Sequence, residues 1–361
     1  MARRARRGAG GRTLQRALVS LTRSAWRAGS KALAQSLRAT PTPAKPKAAP
    51  RKRLAAAGAS PAVRKRQSVS GPSAAAAGAR MASGVCGTRG YRLYQPPGVQ
   101  RSERLPLLVM LHGCAQDAQA LAASSHMNRL AARERFLVLY PEQGRLANPQ
   151  ACWNWYDTRA GRAQREADSI AAAIAHVWSL YPADAGRVAL AGLSAGASMA
   201  ALLAVRHPER FRALAMHSGV APGVARSSAA ALMAMRRSRT GLPLEGATPL
   251  PALLVIHGSA DAVVASGNGA EAARLWAAHA SATPGAARTV QRGARYAAVV
   301  TDYRARGRLV ATLCAVQGLG HAWSGGSAGQ PWSDPRGPDA SRRVWAFAAR
   351  QFQTLQPTNG S

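Results

Sequence analysis

The sequence predicts an α/β fold, a mostly parallel central sheet with helices on both faces, preceded by a basic N-terminal tail. Three observations predict it. After residue 80, short apolar runs alternate with stretches of helical composition, the pattern of parallel strands joined by crossover helices. At residues 187–206 an apolar run ends on Gly-Leu-Ser-Ala-Gly and passes directly into an alanine-rich helical stretch. The first 80 residues differ in kind: they hold 19 Lys and Arg and no Asp or Glu. Of the chain's net charge of +34, this leaves +15 for residues 81–361. We therefore expect a tail over 1–80 and one catalytic domain over 81–355.

The tail has two parts. Residues 12–32 fit one amphipathic helix at 100° per residue, with Leu14, Leu18, Leu21, Ala25, Ala28 and Ala32 on one side. Arg12, Arg16, Arg23, Arg27 and Lys31 gather on the other. Such a helix can lie on an anionic interface, apolar side down; a solvated basic leader without a partner is the alternative. Residues 40–80 are a Pro/Ala/Lys/Ser mixture, and most of them cannot bury enough apolar surface to fold alone. Arg and Lys runs without interleaved aromatics offer only sequence-independent attraction to phosphate, so no specific nucleic-acid partner is expected.

In the domain, residues 105–111 (LPLLVML) read as a buried strand, followed by the loop His112-Gly113-Cys114-Ala115-Gln116 and a helix. The run CWNWYD, 152–157, reads as an aromatic loop. RVALAG, from Arg187, is a strand, and the helix after it covers roughly 195–206. PALLVIHG, 251–258, is another strand, with Asp261 in the Gly/Ser/Ala loop beyond it. VVTDYRARGRL reads as a hairpin strand carrying Asp302. RLVATLCAV, 308–316, leads into a glycine loop that carries His321.

Chemistry enters at Ser194. A strand turning sharply into a helix crowds the residues around the corner, and glycines two before and two after it, Gly192 and Gly196, remove the side chains that would clash. The helix N-terminus points free N–H groups at the same spot. A serine here looks like an acyl-transfer nucleophile on the G-x-S-x-G elbow of an α/β-hydrolase, and a Gly/Ser/Ala-rich turn packed inside the sheet is the alternative. The chain order Ser, Asp, His then selects an acid and a base. Asp261 lies just beyond a strand's carboxyl end, on the ligand-binding edge of such a sheet. Asp302 is the rival acid, placed on a hairpin. Of the eight histidines, His321 follows a strand, sits in a Gly-x-Gly-His loop and comes after both Ser194 and Asp261. Two backbone donors are expected to stabilise the developing oxyanion, the N–H of Ala195 and the N–H of Cys114 in the His-Gly loop. His112 is read as a packing residue that fixes this loop.

At this point the chain resembles the poly(3-hydroxybutyrate) depolymerase family of esterases, a branch similar to feruloyl and acetylxylan esterases. The matching segments stand in order over about 84–353: GTRGYRLYQPPG, LPLLVMLHGCAQDA, YPEQGRLANPQACWNWYD, RVALAGLSAGASMAALLAVRHPERF, AMHSGVAPG, LLVIHGSADAVVASGNG, GLGHAWSGG and GPDASRRVWAFAARQF. Carried over residue by residue, the resemblance implies Ser194 as nucleophile, Asp261 as acid, His321 as base and Cys114 as the oxyanion residue. Ala197 stands where relatives often have a second glycine. The implied substrate is a polyester or oligomer of short-chain hydroxyalkanoate, with plant cell-wall esters as the alternative. A granule- or surface-binding protein without activity is the reading from another class, and an intact Ser194, Asp261 and His321 argue against it. The mechanism needs no metal and no organic cofactor.

Four cysteines, Cys86, Cys114, Cys152 and Cys314, show no C-x-x-C spacing. Either all four are separate thiols, or Cys114 and Cys152 pair across the active-site rim. Trp153, Trp155 and Trp323 are candidate substrate contacts, since aromatic faces suit acyl chains; packing is the competing role for each, for Trp323 against the catalytic imidazole. Near Met1 there is no continuous apolar core of a secretory signal, which favours a cytoplasmic location; the resemblance implies an extracellular one.

Overall fold

A computed structural model describes residues 78–354, apart from 245 and 247. The expected tail helix over 12–32 lies outside the described residues.

Four early strands are β1 (Arg80–Cys86), β2 (Arg89–Gln95), β3 (Leu105–Leu111) and β4 (Leu137–Pro141). Between β3 and β4 run α1 (Ala118–Ser125) and α2 (Met127–Glu134). Then follow α3 (Arg162–Leu180), β5 (Ala183–Leu193), α4 (Ala195–Arg206), β6 (Ala213–His217), α5 (Ser228–Arg236), β7 (Ala252–Gly258) and α6 (Gly267–His279). The short strands β8 (Thr283–Pro284) and β9 (Arg288–Val290) precede the hairpin β10 (Ala298–Ala305) and β11 (Arg308–Val316). A separate two-stranded pair, β12 (Trp323–Ser324) and β13 (Ser333–Asp334), precedes α7 (Ala340–Gln353).

The main sheet runs β1-β2-β4-β3-β5-β6-β7-β11-β10-β8, with β9 also on β10. From β4 to β11 every neighbouring pair is parallel. The antiparallel pairs are confined to the margins. This is the mostly parallel sheet expected from the alternating pattern, and the helix expected at 195–206 is α4.

Alternation along β3 explains the two-sided burial. Leu107, Val109 and Leu111 join one core with Ile170 and Ile174 of α3, Leu203 of α4 and Trp276 of α6. Leu108 and Met110 point into the opposite core, with Leu121 of α1, Leu130 of α2 and Phe347 of α7. Successive strand residues face opposite sides, so a strand covered on both faces reads as one continuous apolar run. Helix ends are capped where the sequence allows: Asp117 accepts from the Ala120 N–H (2.8 Å) and Asp339 from the Arg342 N–H (2.9 Å). Parallel strands bring all their carboxyl ends to one edge. The loops after β3, β5, β7 and β11, which carry the residues singled out above, therefore open on the same side.

Candidate active site

Ser194 occupies the one-residue corner between β5 and α4, at φ 57° and ψ −121°. A non-glycine residue rarely adopts this conformation, and it costs about 1–3 kcal/mol unless the surroundings impose it. They do. A Cβ on Gly192 would run into the backbone of Gly196, and one on Gly196 into the carbonyls of Leu111 and His112. The Ser194 N–H donates to the His217 carbonyl (2.8 Å), tying the corner to the end of β6. Ala195 is the first residue of α4, so its N–H has no partner within the helix.

The loop after β3 lies against this corner: a Cβ built on Gly113 would stand 3.6 Å from the Ser194 Cβ. The Gly113 N–H donates to Gln116 Oε1 (2.9 Å), that of Ala115 to the Gln150 carbonyl (2.7 Å) and that of Gln116 to the Gly113 carbonyl (3.3 Å). Of residues 113–116, this leaves the Cys114 N–H. His112 is buried and clamps the loop. Its Nδ1–H donates to the Gly113 carbonyl (2.8 Å), and its Nε2 accepts from the Gln143 N–H (3.1 Å). Burial, ahead of any neighbour, lowers its pKa to about 4.

Cys114 and Cys152 form a disulfide, which joins the loop after β3 to the aromatic run, while Cys86 and Cys314 are free. Behind the bridge lies a buried polar cluster. Glu166 of α3 accepts from the Asn154 N–H (2.9 Å) and side-chain amide (2.5 Å), and from the Gln143 amide (2.8 Å). The Arg89 guanidinium donates to Gln143 Oε1 (2.7 Å) and to the Glu142 carbonyl (2.8 Å).

The acid loop and the histidine loop are joined by backbone. The Ser259 N–H donates to the Val316 carbonyl (2.9 Å) and the Ala260 N–H to the Leu319 carbonyl (3.1 Å). His321 Nδ1 stands 2.8 Å from Asp261 Oδ2. The other carboxylate oxygen, Oδ1, accepts the N–H groups of Val263 (3.0 Å) and Val264 (2.8 Å). Burial works to raise the Asp261 pKa. Hydrogen bonds from His257 and His321, the His321 charge and the Val264 N–H outweigh it and hold the carboxyl well below the usual range. Asp302 is spent elsewhere, on Arg288 (3.0 Å) and the Thr312 hydroxyl (2.7 Å) within the β9–β11 margin.

The tryptophans correct the sequence-based expectation of a substrate wall. Trp153 is 0% exposed, its Nε1–H donates to the His112 carbonyl (3.0 Å), and Arg89 lies over its ring at 4.9 Å. Trp155 is 7% exposed and packs edge-on to Tyr156. Both are core residues, and Glu166 of α3 anchors Asn154 between them. Trp323 is 1% exposed and stacks on His217, not on His321, with its Nε1–H donating to the Ser341 hydroxyl (3.1 Å). The ring facing His321 is Trp332, edge-on at 6.0 Å.

Two further histidines, His217 and His257, lie in this site. His217 Nε2 accepts the Ser324 N–H (3.1 Å), three residues past His321, while its backbone holds Ser194. Their one sequence signal is position: each stands at the carboxyl end of a buried strand, in AMHSG and VIHGSAD, on the edge that also carries Asp261. Among the described residues, no three His, Cys, Asp or Glu side chains gather in a way that could hold a metal ion.

A family model described as esterase PHB depolymerase matches residues 89–278, more than half of the chain. Poly(3-hydroxyalkanoate) depolymerase C of Paucimonas lemoignei is 33% identical over 179 residues, covering 45% of this chain and 42% of its own. A probable acetylxylan esterase A of Neosartorya fischeri is 29% identical over 189 residues, 47% of this chain and 50% of its own. The chain thus spans about half the length, or less, of these relatives. Acetyl xylan esterase from Aspergillus awamori, a solved structure 19% identical, shares the fold with a TM-score of 0.55 over 67% of this chain and 94% of its own. The chain belongs to the esterase PHB depolymerase family.

The buried histidines make stability depend on pH. Burial comes first among the causes that lower His217 to about 3, and it lowers His112 to about 4, both below the ordinary 6.5. Between those values and 6.5 the unfolded chain binds more protons than the folded one, so stability rises with pH across that window. The urea midpoint should fall as pH drops from 6.5 toward 4. Below about 4, loss of the Asp261 contribution adds to the fall. A midpoint constant from pH 6.5 to 4 would contradict the burial of these two rings as neutral groups.

Proposed function

We propose that this member of the esterase PHB depolymerase family is a serine ester hydrolase, with Ser194 as nucleophile, His321 as general base and acid, and Asp261 as the carboxylate that orients it. The observation that carries the reading is the 2.8 Å hydrogen bond between His321 Nδ1 and an Asp261 carboxylate saturated on its other oxygen. That bond leaves Nε2 as the free ring nitrogen, the tautomer a base needs. His112 and His217, neutral by burial and engaged on both nitrogens, do not compete for the role.

The mechanism follows from these groups. An ester carbonyl binds between the serine oxygen and the N–H groups of Cys114 and Ala195. His321 takes the hydroxyl proton as Ser194 attacks, and Asp261 stabilises the imidazolium. The tetrahedral oxyanion rests on the two backbone donors. His321 then protonates the leaving alcohol, and the acyl group stays on Ser194. Water, deprotonated by His321, repeats the sequence and releases the acid. The disulfide and the Gln116–Gly113 hydrogen bond support the reading by holding the Cys114 peptide rigid.

Poly(3-hydroxybutyrate) or its short-chain oligomers are the substrate class we favour, because the family description and the Paucimonas lemoignei relative both name such polyesters. The acetylxylan and feruloyl esterase relatives support a second reading, a carboxylesterase for plant cell-wall esters. The basic residues 1–80 suit an anionic membrane or polyester-granule surface, at about 1 kcal/mol per Lys or Arg held close to anionic lipid.

Ser194→Ala should fold and lose p-nitrophenyl butyrate hydrolysis by about 10⁴-fold or more. Asp261→Asn should lose turnover on a similar scale while Asp302→Asn stays near wild type. Activity within about tenfold of wild type in Ser194→Ala would overturn the assignment.

Turnover on a 3-hydroxybutyrate trimer, acetylated xylan fragments and methyl ferulate separates the substrate readings. The trimer should give the highest kcat/KM, and a higher value on either plant ester would favour the second reading.

Removal of residues 1–77, ahead of β1, should leave soluble-ester turnover unchanged and weaken binding to anionic vesicles or poly(3-hydroxybutyrate) particles. Binding by the full chain should fall as salt rises. Equal binding by both forms would refute a role for the tail as anchor.

A further inference from the structure

One side chain in the site makes contacts that the proposed mechanism does not use. His257, next to last in β7, is 1% exposed. Its Nε2 lies 2.9 Å from the Val264 carbonyl and 3.4 Å from Asp261 Oδ2. A carbonyl oxygen only accepts, so Nε2 carries a proton, and that proton sits between two oxygens. The backbone of α6 holds the ring in place. A Cβ on Gly269 would stand 2.9 Å from both the Cβ and the Nδ1 of His257, so no side chain fits there. Nδ1 is buried without a hydrogen-bond partner, so the ring's polar contacts run through Nε2 alone.

The acid loop is thus gripped from two sides. Asp261 Oδ1 accepts the N–H groups of Val263 and Val264, which folds the loop back onto the carboxylate. From β7, the Nε2–H of His257 reaches the Val264 carbonyl of that same turn and the Oδ2 that receives His321. We propose that His257 is a positioning residue, whose single N–H sets the orientation of the Asp261 carboxylate and shares with His321 the oxygen that orients the base.

The inference rests on the Ser194–His321–Asp261 reading. It predicts an effect on pH dependence, because a carboxylate that loses a donor concentrates more negative charge on its remaining partner. The titratable groups around this carboxylate are His257 from β7, His217 from the end of β6 and His321 from the loop after β11. On α6, Glu271 and Arg274 pair with each other (2.7 Å). α4 carries no charged residue before Arg206.

The test compares His257→Leu, which removes the donor and keeps bulk, with His257→Gln, whose amide can restore an N–H near the Nε2 position. Active sites are counted with a fluorophosphonate that labels the nucleophilic serine, so misfolded protein is not scored. Per labelled site, His257→Leu should lower kcat on p-nitrophenyl butyrate by about 10- to 100-fold, the scale of a small misplacement, with KM within about twofold. Its acid limb of kcat/KM against pH should move to higher pH. His257→Gln should recover kcat to within about fivefold and return the limb to its wild-type position. If the Leu variant does not fold, His257→Asn, whose shorter amide cannot reach both oxygens, takes its place with the same expectation. Wild-type kcat per labelled site in the donor-less variant would overturn the inference. An equal loss in the Gln variant with an unmoved limb would also overturn it, leaving a packing role alone. Asp261→Asn, measured alongside, separates the two failures. Activity retained there refutes the triad itself, whereas activity lost there but kept in His257→Leu refutes only the role of His257.

Discussion

The arrangement depends on one close approach, the crossing of the first turn of α4 against the end of β3. Gly196 lies so near the carbonyls of Leu111 and His112 that no Cβ fits between them, and Gly192 meets Gly196 with the same closeness. This contact sets the separation between the serine corner and the loop that follows β3. It also imposes the strained dihedrals of Ser194, because α4 is buried along most of its length and has nowhere to move. The cost of the corner, about 1–3 kcal/mol, is small beside the burial of a helix with Met199, Leu203 and the alanines between them against β5 and β6.

Around that corner the fold uses buried histidines as joints. A neutral imidazole donates at one nitrogen and accepts at the other, so one ring can tie together two loops far apart in sequence. His112 joins the β3 loop to Gln143 after β4, and His217 joins the end of β6 to Ser324. Burial lowers the pKa of both, which keeps the accepting nitrogen free of a proton at neutral pH. His321 differs from both: its side chain is less buried and its Nδ1 faces a carboxylate. The disulfide and the Arg89–Gln143–Glu166–Asn154 cluster serve the same end on the other side of the serine, fixing a loop that has no regular secondary structure of its own.

Much of this was legible in the residues because the signals are local. The elbow at 192–196 is a steric requirement spanning five positions, and it marks both the end of a strand and the start of a helix. Asp261 and His321 each follow an apolar strand, and parallel topology carries strand ends to one edge wherever they stand in the chain. Asp302 reads as a hairpin residue, and it sits in one, spent on Arg288 and Thr312. The Cys114–Cys152 pairing stayed open against separate thiols, since spacing does not determine connectivity.

What the sequence alone determined, then, is the set of strand–loop units and the chemical groups at their ends. Tertiary structure alone decided which aromatic rings face inward and which histidines reach which loop. Trp153 and Trp155 sit in an aromatic loop that the sequence leaves open to substrate contact or packing, and the buried Glu166 holds the Asn154 backbone and amide between them, with both rings in the core. Trp323 lies two residues from His321 in the chain but stacks on His217, 106 positions away. Periodicity and motif spacing report a residue's own backbone, whereas these outcomes are fixed by partners from distant strands and helices.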